Sequence, residues 1–255
     1  MVGTPWFDGE ILENAVKDLL DRRKLGKEES LQESGDPACK VYVEIRRCYS
    51  QLQTYQVQNR FVTVTRTHSR GPELLRSYPS EKNYSCTIWE AARATTADPL
   101  FFKTISLGSG GATFVDRAIK RNNPIYELVE EAVRLYPSRE IGCIISIGTG
   151  WPKQTSTHGS KLHDIAQACV QIALDAQDRA EEFVEDWRGR ELRKDNKYFR
   201  FNVDQELQDV KIEEWKNMEK MDDVVGKYLS QEDTAAQVEA CVGELVNSVP
   251  SPSIR

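Results

Sequence analysis

The chain has 255 residues, enough for one α/β domain with a buried core. Its hydrophobic fraction of 39% and charged fraction of 29% fit a water-soluble globular protein, and a formal charge of -6 repels a phosphate backbone, so nucleic acid is not an expected partner. Six cysteines (Cys39, Cys48, Cys86, Cys143, Cys169, Cys241) form no C-x-x-C pair, which predicts reduced thiols. With three histidines (His68, His158, His163) and no ligand spacing, neither a zinc site, a cofactor nor a Ser-His-Asp triad is expected.

In chain order, Asp8 is placed to cap a first helix, with Phe7 and Leu12 spaced for a hydrophobic staple. Ile11, Leu12, Ala15, Val16, Leu19 and Leu20 then recur at helical spacing. Residues 24–37 are polar and carry glycine, as a loop does. Residues 38–45 alternate apolar and polar side chains, which predicts a strand. Residues 46–85 are the least regular: a glutamine-rich stretch is followed by one candidate strand at 61–64.

Regular patterning returns at Thr87. A short helix over 88–96 carries Ala91, Ala92 and Ala94 for close packing, and Pro99 stops it. A glycine-rich turn over 106–112 precedes a brief strand, Thr113-Phe114-Val115, which ends at Asp116. Asn123-Pro124 predicts a helix start, with Asn123 as the cap and Leu128, Ala132, Val133 and Tyr136 on the buried face. The almost continuously apolar 141–147 reads as a strand covered on both faces, turned at its end by Gly148-Thr149-Gly150. A long helix over 160–187, a strand over 198–203, and helices over 212–229 and 234–246 follow; 247–255 reads as a tail or linker. Helices alternating with buried strands predict a mostly parallel sheet. No signal peptide and no membrane-length apolar run is visible, and a cytoplasmic location is the expectation.

Three blocks bear on function. Ile88-Trp89-Glu90-Ala91-Ala92-Arg93-Ala94-Thr95-Thr96-Ala97-Asp98-Pro99-Leu100-Phe101-Phe102, Phe114-Val115-Asp116 and Asn122-Asn123-Pro124-Ile125-Tyr126-Glu127-Leu128 together resemble the distal half of the patatin-like phospholipase domain. Tyr198 to Val203 with Glu213-Glu214-Trp215 resembles its fungal branch, in which such domains often precede further fused domains. The resemblance implies a three-layer α/β/α sandwich, here incomplete, spanning 1–246 with 46–85 as an insertion or translated intron. It implies a lipid or phospholipid acyl ester as substrate, contact with a membrane periphery, and Asp116 as the base of a Ser-Asp dyad.

The family's G-x-S-x-G elbow, with a glycine-rich oxyanion loop before it, occurs nowhere in the sequence. Ser109, in Gly108-Ser109-Gly110-Gly111, lacks the strand-turn-helix context and reads as a turn residue. Arg117 stands where the family usually has glycine. The expectation is therefore a partial acyl hydrolase, inactive as this chain, with a non-catalytic interaction module as the alternative. Taken without the resemblance, Asp116 is a turn residue, Arg93 a structural ion-pair partner and Gly148-Thr149-Gly150 a structural turn.

Overall fold

A computed structural model describes residues 7–32, 59–67, 71–81, 84–98, 101–108, 111–115, 122–150, 161–203 and 218–247. The strand expected over 38–45 lies outside these residues, as do Ser109, Asp116 and Arg117. The chain forms two compact units, 1–118 and 119–255. Helices and mixed sheets make it an α/β protein.

The first unit begins with α1 (Gly9–Arg22), whose cap is Asp8 as expected: its carboxylate accepts from the Glu10 N–H at 2.9 Å. The staple differs. Phe7 packs on Phe101 and Phe102, with ring centroids 6.2 and 5.7 Å away, because its backbone N–H is bonded to the Phe101 carbonyl. Leu20 is the buried residue of this helix, while Ile11 and Leu19 remain exposed.

The irregular 46–85 region contains a hairpin, β1 (Phe61–Arg66) and β2 (Pro72–Arg76). The antiparallel register runs from Phe61 opposite Arg76 to Thr65 opposite Pro72. A second hairpin, β3 (Ile105–Leu107) and β4 (Ala112–Val115), joins it through Thr65 opposite Val115, giving a four-stranded sheet in the order β2-β1-β4-β3. Every pairing in it is antiparallel, against the expected parallel sheet: short connections close hairpins, whereas parallel neighbours need a long crossover.

Between the hairpins, α2 (Ile88–Thr95) starts with a reciprocal capping box. The Thr87 hydroxyl accepts from the Glu90 N–H, and the Glu90 carboxylate accepts from the Thr87 N–H at 2.7 Å. Ala91 and Ala94, buried, let the helix lie close on the sheet, where the Thr95 hydroxyl donates to the Thr63 carbonyl. Val64, Leu75, Leu107 and Phe114 fill the space beneath, and Tyr84 meets Phe114 edge-on at 5.1 Å.

In the second unit α3 (Ile125–Leu135) leads to β5 (Ile144–Ile147), α4 (Lys161–Glu185), α5 (Trp187–Lys194) and β6 (Tyr198–Phe201), followed by α6 (Met218–Leu229) and α7 (Glu232–Asn247). Strands β5 and β6 are parallel, with Ser146 opposite Arg200. Ile125, Val129, Ile144, Phe183 and Tyr198 form the core, and the Phe183 ring packs on Tyr126 and Tyr198.

Several expectations for this unit are corrected. Asn123 does not cap α3; it is buried, and its amide donates to the Ala176 carbonyl at 3.3 Å, leaving Pro124 at the cap with no side-chain bond. In α3 two sides are buried, Ile125 and Val129 on one and Glu127 and Glu131 on the other, while Leu128 and Val133 are exposed. The glutamates are tolerated inside because Arg179 pairs with Glu127 at 3.5 Å and Arg134 forks onto Glu131. The strand at 144–147 is covered on one face only, since Ile145 is 40% and Ile147 78% exposed. The long helix stops at Glu185. Asp186 caps α5 by accepting from the Arg188 N–H, so Trp187, expected inside, is exposed under the Arg188 guanidinium.

Candidate functional site

The sequence places chemistry at the carboxyl end of β4, so the elements that lead there matter. Thr67 N–H donates to the Thr113 carbonyl, and the Thr67 hydroxyl reaches the same oxygen at 2.7 Å. Phe114 is fully buried and anchors β4. Gly108 and Gly111 both have positive φ (68° and 60°), and Gly111 N–H closes on the Gly108 carbonyl at 3.1 Å. The segment bearing Ser109 thus joins two antiparallel strands. A nucleophile elbow needs a helix after the serine, and a strand follows instead. Asp116, the candidate base, is the next residue after β4 and lies outside the described residues.

Arg93 was expected in a structural ion pair. It is 5% exposed, and its Nη2 donates to the Lys103 carbonyl at 3.0 Å while the guanidinium lies over Phe102. Gly9 leaves the room it needs: a Cβ there would sit 2.6 Å from Nη2. Desolvation holds its pKa below the usual guanidinium value, with Glu13 opposing. Arg93 therefore ties α2 to the segment that follows it, through the Lys103 carbonyl and the Phe102 ring, and packs against Gly9 of α1; among the described residues no carboxylate stands at ion-pair distance from it. Trp89 makes a parallel link, its indole N–H donating to Glu28 at 2.8 Å with Lys17 above the ring.

The Gly148-Thr149-Gly150 turn is held by Asn202 at the end of β6. Gly148 N–H donates to the Phe201 carbonyl and Gly150 N–H to Asn202 Oδ1, both at 2.8 Å, while the Asn202 amide donates to Gln177. Any side chain at 148 would overlap Asn202 Oδ1 and Arg200 Nη2, and Gly150 has φ 100°. This supplies the structural reason for both glycines that the sequence alone could not. The turn borders a groove of about 360 Å³ between α3, α4 and β5, which periodicity did not signal because its residues come from four separate segments. Burial pushes the Cys86 thiol up to about 11, and burial followed by the neighbouring Cys241 does the same to the half-buried Cys143, so neither of these two is poised as a thiolate nucleophile at neutral pH.

Comparison with known proteins bears on this arrangement. No protein-family model matches the chain. It is 26% identical to mouse calcium-independent phospholipase A2-gamma over 91% of its own length, and 25% identical to the human protein of that name, also over 91%. It is 29% identical to Phospholipase A I of Arabidopsis thaliana over 64% of its length.

These relatives support a patatin-like phospholipase relationship.

The chain spans 30% of the mouse phospholipase, 29% of the human one and 11% of the plant one, so it corresponds to a part of each. The patatin-like resemblance rests on this relationship together with the residue blocks at 88–102 and 114–128. Among the described residues no helix is long and apolar enough to cross a membrane.

Proposed function

We propose that this chain is the distal part of a patatin-like lipid acyl hydrolase of the phospholipase A or acylglycerol esterase class, with Asp116 as the base of a Ser-Asp dyad. The observation that carries this reading is similarity to phospholipases across 91% of the chain, at 26% identity, which spans both units. The fold proposed for the whole enzyme is the three-layer α/β/α sandwich, of the fungal branch, working in the cytoplasm at a membrane periphery and fused to further domains.

In that enzyme Asp116 takes the proton from a serine hydroxyl as the oxygen attacks the ester carbonyl. Backbone N–H groups hold the oxyanion, and the proton passes to the departing alcohol. Water, deprotonated by the same carboxylate, attacks the acyl carbon; the serine–acyl C–O bond breaks, the serine oxygen takes the proton back and the fatty acid leaves. The present sequence has no G-x-S-x-G serine, so this chain by itself forms no acyl-enzyme. That absence, with Arg117 beside Asp116, favours a second reading: a non-catalytic module kept for binding.

Two measurements separate the readings. The purified chain should not be labelled by a fluorophosphonate; labelling would overturn its inactivity. An immunoblot of native cells raised against 160–187 should show a product larger than 29.1 kDa whose phospholipid hydrolysis is abolished by Asp116→Ala. A single 29.1 kDa product without esterase activity would leave the binding module as the correct reading.

A further inference from the structure

We propose that the groove between α3, α4 and β5 binds a single-chain anionic lipid, a long-chain fatty acid, with its carboxylate on Arg200. The inference stands on the second unit's own residues and does not rest on the hydrolase reading.

Arg200 is the deciding residue. Its Nη1 donates to Ser146 Oγ at 2.9 Å, and its Nε is sealed from solvent with no acceptor. Its Nη2 lies 2.7 Å from the point a Cβ of residue 148 would occupy, an approach that only glycine permits. Among the described residues no carboxylate stands at ion-pair distance from it, unlike Arg134 and Arg179, which have Glu131 and Glu127. Burial draws its pKa below the usual guanidinium value, opposed by the Tyr198 and Tyr228 phenols. A guanidinium keeps its charge, and a desolvated charge without a counter-ion is unfavourable. An anion from outside would supply the counter-charge that the described residues do not.

The rest of the groove selects which anion. Pro124 at the cap of α3, Ile125 and Leu128 on it, and Ile172 and Ala176 on α4 give apolar lining; Asn122, Asn123, Ser146 and Thr149 add neutral polar groups, and Arg200 is the one cation among the described lining residues. A phosphate or a polyanion carries more charge than one guanidinium balances; one carboxylate with a hydrocarbon tail matches one cation beside apolar lining. The volume of about 360 Å³ lies within the range of small-molecule sites. Its position fits too, since open parallel sheets take ligands beyond the carboxyl ends of their strands, where Gly148 lies, one residue past β5, with Arg200 next to last in β6. Arg200 also borders a second cavity of about 480 Å³, but Glu181 and Glu185 line that one and balance the charge of Arg193 and Arg200, so it calls for no outside anion.

The test is calorimetric titration of the 255-residue chain with oleate below its micellar concentration, beside oleyl alcohol and acetate. Oleate should bind. Oleyl alcohol, with the chain and no charge, should bind at least about tenfold more weakly, the loss expected for one charge-assisted hydrogen bond. Acetate should give no measurable heat. Leu128→Glu, at a position already 40% exposed, should weaken oleate by about tenfold or more while leaving the far-ultraviolet spectrum unchanged. Arg200→Lys should retain part of the affinity that Arg200→Gln loses. Absence of oleate binding, equal affinity for oleate and oleyl alcohol, or full affinity in Leu128→Glu would each overturn the proposal.

Discussion

Arg200 and Ser146 sit at the same register position of the parallel pair β5 and β6, and the guanidinium donates to the serine hydroxyl at 2.9 Å. Ser146 is 8% exposed, so this bond is made away from bulk water. Replacing Ser146 with alanine removes the one acceptor that the side chain of Arg200 has among the described residues. The cost of leaving a buried donor unmet is about 1–3 kcal/mol. Ser146→Ala should therefore lower the urea midpoint with no change in the slope of the transition. An unchanged midpoint would mean that water meets Arg200 equally well.

Gly148 and Asn202 are coupled by space. A methyl group at 148 would overlap the Asn202 amide oxygen, which is the acceptor for Gly150. Gly148→Ala should cost about 1–3 kcal/mol as an overpacked site, and Asn202→Ala about 1 kcal/mol for the lost bond. The double variant should be less destabilised than the sum, because removing the Asn202 side chain frees the room that the methyl needs. Strict additivity in denaturant titrations would show that the two residues do not share the site.

Helix starts were legible in the sequence and strand partners were not. Asp8 advertises local chemistry, a side-chain oxygen two residues before its N–H donor, and α1 begins where that places it; α2 was located by its patterning, and the Thr87–Glu90 box that starts it is a finding of the structure. Asn123 carries the same signal, yet its amide is taken by the Ala176 carbonyl on a helix 53 residues away. Leu128 and Val133 look like an inward stripe only until Glu127 and Glu131 find arginines that let them be buried. The β1–β2 hairpin was half visible: β1 is rich in valine and threonine, whereas β2 opens with proline and gives little periodic signal. The groove at Arg200 was invisible for the same reason, its walls being distant in sequence. Asp116 came from the family resemblance, and β4 was placed correctly just before it.

The Thr87–Glu90 box makes a prediction about the first unit alone. Both halves of the reciprocal pair are formed, so Thr87→Ala leaves the Glu90 N–H without its acceptor. Loss of such a cap costs about 1 kcal/mol. Thr87→Ser keeps the hydroxyl and should restore most of it. Hydrogen exchange provides the local readout: amides of the first turn of α2 should lose protection in the alanine variant and keep it in the serine variant.

Gly189 is buried where α5 turns back on α4, and a Cβ there would collide with the Phe183 carbonyl. That contact is backbone, so no rotamer change relieves it. Gly189→Ala must therefore move the helix junction and with it the Phe183 ring between Tyr126 and Tyr198. The expected loss is about 2–4 kcal/mol, larger than for Gly148→Ala, where the obstacle is a side chain. Gly226, with nothing near its missing side chain and a place inside α6, is the control. Gly226→Ala should stabilise by about 0.5–1 kcal/mol through the unfolded chain. Equal effects of the two substitutions would show that the packing at α4–α5 is looser than the contact implies.

Thiol ionisation contributes to the alkaline limit, beside the Tyr84, Tyr126 and Tyr198 phenols, which burial also raises. Burial raises Cys86 from 9.0 to about 11, and Cys143 likewise. Between those pH values the unfolded chain has released these protons and the folded chain still holds them, so unfolding is favoured as pH rises. Stability from this source is fully present below about pH 9 and is lost progressively towards about 11. Cys86→Ala removes one of these two thiols and should flatten the part of the decline nearest pH 9, though its own packing loss lowers the plateau. Denaturant midpoints taken across the window, with alkylation rates as an independent count of thiolate, decide the matter. If the Cys86→Ala protein declined as steeply as the parent, Cys86 would be excluded as a source of the alkaline transition.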